Sequence, residues 1–332
     1  MDAKDASKII EGEIVYGTGW QATPKKLSFH HRSLVKDVIG AALGFCWIVI
    51  NDVKRLAHIK NNVIRFADLT DVCHAVENYI DTDLPAVLAY SWKKHQLANL
   101  FVTGILNYVT VHKLRFLPVK EITEHFDTRT ESFFYFLNGV VKVTAQGTEL
   151  MDYKSLNGLI WDKQIRPYNI TLNKGGEPDG DYKEFCFRLC DKNDAKYQSL
   201  KSIIGFMIHR FFSPTKTIIP CFLDESINGT DQSQANGSVG KTLLCEGLGY
   251  IRNVVDIDGK SFDPNGSFPY QRVNIDSEIL FIDDLARNIS FEFFFSILSI
   301  GLEVNQKNKP SFKLKKEKMP KPIITSNFPI KC

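Results

Sequence analysis

Lys241 and Thr242 stand in the stretch QANGSVGKTLL (residues 234–244), where a glycine-bearing loop runs into an apolar, helix-like segment. Backbone N–H groups at a helix start, preceded by a glycine-rich turn, form a cradle for phosphate oxygens. In such a loop Asn236, Gly237, Ser238, Val239 and Gly240 would build the cradle. Lys241 would reach the β- and γ-phosphates of ATP, and the Thr242 hydroxyl would ligate Mg²⁺. The usual pattern, G-x-x-x-x-G-K-[ST], asks for glycine at position 235, where this chain has Ala235. A left-handed backbone there would cost alanine about 1–2 kcal/mol, and Gly237 can take over that turn. The other reading of Gly240-Lys241-Thr242 is a plain surface turn.

Two more clusters carry matching chemistry. Asp283-Asp284 closes the apolar run ILFI, and adjacent carboxylates at a strand end repel unless a cation or polarised water lies between them. Asp283 would hold the magnesium shell and Asp284 would polarise an attacking water. Alternatively the pair caps a following helix, where acids are favourable. Asn327 ends KPIITSN and could present its amide to the γ-phosphate and the lytic water, although Ser-Asn before Phe-Pro is also good turn chemistry. Asp283 lies 42 residues beyond Lys241, and Asn327 a further 44.

These side chains need elements to position them. TIIPCFLD (217–224), SEILFIDDL (277–285) and KPIITSN (321–327) are short apolar runs with polar ends. Strand, phosphate loop, helix, strand with terminal acids, strand with terminal amide is the order of an α/β P-loop ATPase core. Its three strand ends would meet at the carboxyl edge of one parallel sheet, where open α/β folds bind ligands. Between the last two strands, NQKNKPSFKLKKEKMPK (305–321) holds Lys307, Lys309, Lys313, Lys315, Lys316, Lys318 and Lys321, with Glu317 its only acid. It reads either as a solvated basic hairpin or as a surface that tracks nucleic-acid phosphates without sequence preference.

The remainder reads as an α+β accessory domain over 33–214, after a polar, irregular segment 1–32. Asn138-Gly139 and Gln146-Gly147 are tight-turn pairs, so 131–153 should fold as three short antiparallel strands. Residues 172–185, rich in Gly, Asp and Lys, read as a loop. An amphipathic helix is expected over 194–212, ended by Ser213-Pro214, with the boundary to the ATPase core near residue 215.

With 332 residues the chain has room for about two domains. Forty-one basic against 38 acidic residues give a net charge of +3, too small to imply a nucleic-acid partner by itself. The longest apolar run, residues 38–50, is too short to span a membrane and reads as a buried helix or strand. The first residues lack a basic-then-apolar signal, so an intracellular protein without a membrane partner is expected. Seven cysteines then read as reduced thiols. Cys186 and Cys190 have no second Cys or His pair nearby to complete a tetrahedral zinc site.

Taken together, the phosphate loop, ILFIDD, the lysine-rich segment and KPIITSN resemble superfamily 3 helicases, the AAA+-related DNA-translocating motors of viruses, phages and mobile elements. GLEVNQKNKPSF and PKPIITSNFP are most similar to the helicase half of phage and plasmid primase-helicases, as are YFLNGVVKVT and DYKSLNGLIW upstream. The resemblance implies an ATP- and Mg²⁺-dependent motor that works as a hexameric ring, with ATP sites between subunits. Lys307 or Lys309 would grip single-stranded DNA in the central channel, a primase would act alongside, and the setting would be the cytoplasm of a bacterial host. The resemblance also implies an arginine finger beyond the sensor and a primase centre upstream. No residue through Cys332 takes the first role, and no acidic cluster before residue 200 takes the second. The expected ATPase core is therefore truncated at its C-terminus. Two other functions stay open from sequence: a different P-loop replication ATPase such as a loader or initiator, and a non-catalytic DNA-binding remnant.

Overall fold

The computed structural model describes residues 13–173, 180–215, 218–223 and 240–329. It is a mixed α/β structure with several sheets, divided into two compact units, Met1–Thr123 and Glu124–Cys332. No helix among the described residues is long and apolar enough to cross a membrane.

In the first unit, strands β1 (Val15–Gly17), β2 (Trp20–Thr23) and β3 (Lys26–Phe29) form an antiparallel meander where an irregular segment was expected. Trp20, Ala22, Leu27 and Phe29 are its buried positions, alternating as a half-buried sheet requires. The apolar run 38–50 turns out to be both helix and strand. A wide helix α1 (Leu34–Ala42) breaks at Gly44, whose φ is +76°, and continues as β4 (Phe45–Ile50). A Cβ at Gly44 would lie 2.3 Å from the Ile59 carbonyl oxygen, so only glycine fits the turn. β4 pairs with β5 (Val53–Lys60), and β5 with β6 (Val63–Phe66), both antiparallel. Helix α2 (Leu69–Thr82) starts on a reciprocal cap between Asp68 and Asp71 and buries Val72, Val76 and Ile80 against this core.

The second unit opens with β7 (Ser132–Phe136), β8 (Gly139–Thr144) and β9 (Gly147–Met151), the three-stranded antiparallel sheet expected from the turn pairs. Helices α3 (Asp181–Leu189) and α4 (Asp194–Ile208) follow. Part of the stretch read as a loop is therefore helical, with Asp181 and Glu184 in the first turn of α3, where acids suit the helix dipole. Helix α4 ends four residues early, because the Arg210 N–H donates to the Asp127 carboxylate at 2.7 Å instead of continuing the helix.

A four-stranded parallel sheet forms the centre of this unit. Its strands are β10 (Cys221–Phe222), β11 (Val254–Asp258), β12 (Ile279–Asp283) and β13 (Lys321–Thr325), in the spatial order β10-β13-β12-β11. Helix α5 (Lys241–Gly247) precedes β11. Side chains along a strand alternate between faces, and both faces here are covered. Leu280, Ile282 and Ile324 pack into one apolar cluster, and Ile279, Phe281 and Ile323 into another. A hairpin, β14 (Gly301–Val304) with β15 (Phe312–Lys315), buries Leu302, Val304 and Leu314 in the first cluster.

A buried charge cluster ties the β7–β9 sheet to the amino edge of the parallel sheet. The Arg252 guanidinium, fully buried, donates to Asp127 Oδ2 at 3.0 Å, Glu278 Oε1 at 3.1 Å and the carbonyls of Phe133 and Ile208, and lies over the Phe134 ring. Arg166 adds bonds to the carbonyls of Gly249 and Arg252. These bonds bind residues 127–166 to residues 249–278 inside one unit. The compact unit that holds the parallel sheet accordingly begins at Glu124, well ahead of the boundary expected near residue 215.

Candidate functional site

The parallel register puts four strand ends at one level. Asp258 lies opposite Asp283, Ile282 opposite Ile324, and Phe222 opposite Thr325. Lys241 and Thr242 begin α5 at this carboxyl edge, behind Gly240 in the left-handed conformation (φ +91°). A Cβ on Gly240 would meet the Phe185 ring at 3.1 Å, so α3 closes against the chain where the helix starts. Asn236, Gly237, Ser238 and Val239 lie outside the described residues, as does Ala235.

The described site residues converge. The Thr242 hydroxyl donates to the Asp283 carboxylate, 3.0 and 3.2 Å from its two oxygens. The Lys241 ammonium donates to Asn327 Oδ1 at 3.0 Å, and Asn327 Nδ2 donates to Asp284 Oδ1 at 2.8 Å. Lys241, Asn327 and Asp284 thus form one chain of charge-assisted bonds across the ends of α5, β13 and β12. Asp284 itself sits at φ +56°, a left-handed position uncommon outside glycine. Its N–H is held by Thr325 Oγ1 at 2.8 Å, which fixes this turn of backbone.

Three residues complete the arrangement that sequence reasoning did not single out. Thr325 also donates its hydroxyl to Asp283 Oδ1 at 2.6 Å, so Asp283 is held from both α5 and β13. Ser326 donates to the Leu285 carbonyl at 2.9 Å and pins β13 to the turn after β12. Both lie in KPIITSN, where their hydroxyls beside Asn327 were the available signal. Lys260 reaches Asp284 Oδ2 at 2.6 Å, and that carboxylate raises the ammonium's pKa above its ordinary value. Nothing in the local sequence marked Lys260, because its position depends on β11, a strand that carries alternating acids. Gly259 lets the chain pass: a Cβ there would lie 2.6 Å from the Asp283 carbonyl oxygen.

An open cavity of about 600 Å³ lies beside these groups, lined by Thr242, Glu246, Asp258, Lys260, Asp283 and Asp284 among others. Behind it Cys245 is buried, and burial pushes its thiol up to about 12. Cys186 and Cys190 are free thiols packed among Phe185, Leu189, Leu200 and Leu244. No cluster of three or more His, Cys, Asp or Glu that could hold a metal occurs among the described residues.

Lys307 and Lys309 occupy the exposed tip of the β14–β15 hairpin. The base of that tip is anchored by Gln306, whose side-chain amide donates to the carbonyls of Gln271 and Val273. The rest of the lysine run divides. Lys313 and Lys315 face solvent from β15, while Lys318 pairs with Glu124 at 2.6 Å. Lys321 turns inward, donating to the carbonyls of Phe206 and His209, and burial lowers its pKa to about 8.

No family model matches the chain, and no curated protein matches it. Three solved structures of the NrS-1 C-terminal region are similar to it. The apo structure of residues 305–718 shares 12% identity at a TM-score of 0.46, over 89% of this chain and 56% of that one. The A-form apo structures give 12% and 11% identity, each at a TM-score of 0.45. The chain spans just over half the length of these structures.

Proposed function

We propose that the chain belongs to a replication motor of the superfamily 3 helicase type, hydrolysing ATP to move along single-stranded DNA. The observation that supports it best is the meeting of Lys241, Thr242, Asp283, Asp284 and Asn327, drawn from three sequence segments, at one edge of a parallel sheet. A surface turn at Gly240-Lys241-Thr242 has no reason to aim both side chains at the ends of two other strands.

The donor set fits the groups this function requires. A magnesium ion takes hard oxygen ligands, and the Thr242 hydroxyl and Asp283 carboxylate already adjoin each other. Magnesium bound there would neutralise charge developing on the phosphates. Lys241 supplies a fixed positive charge for the terminal phosphate, exchanging Asn327 for a stronger anionic partner. Asp284 accepts a proton from the attacking water, and Asn327 orients that water with its amide. Thr325 and Ser326 hold the two acids and the sensor turn in register, so these groups need little rearrangement at reaction.

The exposed Lys307 and Lys309 would follow the phosphates of the strand. Assembly into a ring, with a neighbouring subunit completing each ATP site, and cooperation with a primase belong to the same proposal. The direct test is Lys241→Ala in the full chain. ATP affinity measured with Mg²⁺ should fall at least tenfold, and DNA-stimulated phosphate release should vanish. Unchanged affinity and turnover would mean that Lys241 does not serve a phosphate site.

A further inference from the structure

A second cavity, of about 560 Å³, lies at the amino edge of the parallel sheet, where Lys321 begins β13 and Glu278 precedes β12. Its size falls in the range of small-molecule sites. Phe206, Phe211 and Phe212 line it without being fully buried. A cation stands beside these rings, the Lys316 ammonium lying 5.6 Å from the Phe212 ring centre, and the His209 ring stacks on Phe211 at 6.1 Å. Arg129, exposed at the rim, has no partner among the described residues.

Charge in the cavity is not balanced. The lining acid Glu278 has a fully buried side chain and is already bonded to Arg252 and Arg210, and the Lys321 ammonium is taken up by the Phe206 and His209 carbonyls, which leaves Glu317 against Arg129 and Lys316. Aromatic faces next to uncompensated cations suit a ligand that is flat at one end and anionic at the other. An apolar peptide would cover the rings and strand the cations. We propose that this cavity binds a nucleoside phosphate, its base stacked on the Phe211–Phe212 wall and its phosphate held by Lys316 and Arg129. The ligand could be a unit of a single strand or a free nucleotide, and the chemistry is the same in both. Nothing in this inference depends on the phosphate-loop site at the opposite edge.

The test uses the full chain without ATP, titrated into fluorescein-labelled (dT)12 and, separately, competed with dTMP. Phe212→Ala should weaken (dT)12 binding roughly fivefold to a hundredfold, the span expected for one lost base–aromatic stack. Lys316→Ala should lower the log–log salt slope by about 0.7, one phosphate contact on a single strand. Phe212→Trp and Lys316→Arg should restore both. Competition by millimolar dTMP would identify a free nucleotide as a ligand, whereas its failure, with the substitution effects intact, would identify the strand. ATP affinity in the presence of Mg²⁺ should be unchanged by Phe212→Ala, which separates this site from the proposed ATP site. If Phe212→Ala loses its far-ultraviolet dichroism, Phe212→Trp and Lys316→Ala still decide. Wild-type binding of both probes by Lys316→Ala, together with a salt slope unaltered, overturns the proposal.

Discussion

The two edges of the parallel sheet hold the same residue types in opposite states. At the amino edge, Arg252, Asp127 and Glu278 are buried and bonded on nearly every side. At the carboxyl edge, Lys241, Asp283, Asp284 and Asn327 are only half-buried and border an open cavity. Charges sealed from water and fully paired hold a fold in one arrangement, because removing one partner leaves the others stranded. Charges that pair with one another at an open edge can exchange those partners for a ligand at small cost. On this comparison the first edge locks the architecture and the second is available for chemistry.

Breaking the amino edge should give the largest effect. Arg252→Met leaves the Asp127 and Glu278 carboxylates, 5% and 2% exposed, without the guanidinium charge that they share. A loss of about 3–5 kcal/mol is expected, measured from the shift of the urea unfolding midpoint. A loss below about 1 kcal/mol would mean that the cluster does not lock the fold. Asp284→Asn makes the matching change at the carboxyl edge. It removes the charge paired with the solvent-exposed Lys260 ammonium, an interaction worth at most about 1 kcal/mol, while the amide oxygen can still accept from Asn327, so the unfolding midpoint should barely move. On the proposed function its turnover should still fall about a hundredfold or more, as loss of a proton acceptor does. A large drop in stability without a drop in turnover would invert the comparison.

The carboxyl edge was legible in the sequence and the amino edge was not, for a physical reason. ILFIDD and KPIITSN announce themselves because a strand buried on both faces is a continuous apolar run, and a polar residue ending it stands out. Asn138-Gly139 and Gln146-Gly147 likewise encode their turns locally. Asp127, Arg252 and Glu278 carry no such signal. Arg252 and Asp127 are 125 positions apart, each sits in ordinary polar surroundings, and only the folded chain brings them together. The domain boundary near residue 215 was drawn from a change in local pattern, and the bonds that cross it are long-range. The lysine run shows the same limit from the other side. Composition presents Lys307 through Lys321 as one basic stripe, whereas packing leaves Lys307 and Lys309 in solvent and draws Lys321 inside. Among the proposed site residues, Lys260 was missed because its strand, VVDID, alternates acids with apolar residues and did not read as buried.

Lys321 offers the finest test of the contrast, through pH. Its ammonium is held at the amino edge with a pKa lowered by burial to about 8, against an ordinary 10.5. Below pH 8 it is protonated both folded and unfolded, and its burial costs stability in full. Between about pH 8 and 10.5 the unfolded chain holds the proton more tightly than the folded one, so this group makes stability rise with pH. Over pH 8 to 9.5 the gain should be about 1–2 kcal/mol. Buried thiols such as Cys245, and phenols such as Tyr135 and Tyr270, have raised pKa values and act in the opposite sense at the upper end of that range. The informative quantity is therefore the difference in unfolding free energy between wild type and Lys321→Met, followed against pH. Lys321→Met keeps the length of the side chain and removes the titration, so the difference should shift toward wild type as pH rises. A difference that stays flat from pH 7 to 9.5 would place the Lys321 ammonium in water, and the inward half of the lysine run would then be no different from the hairpin tip.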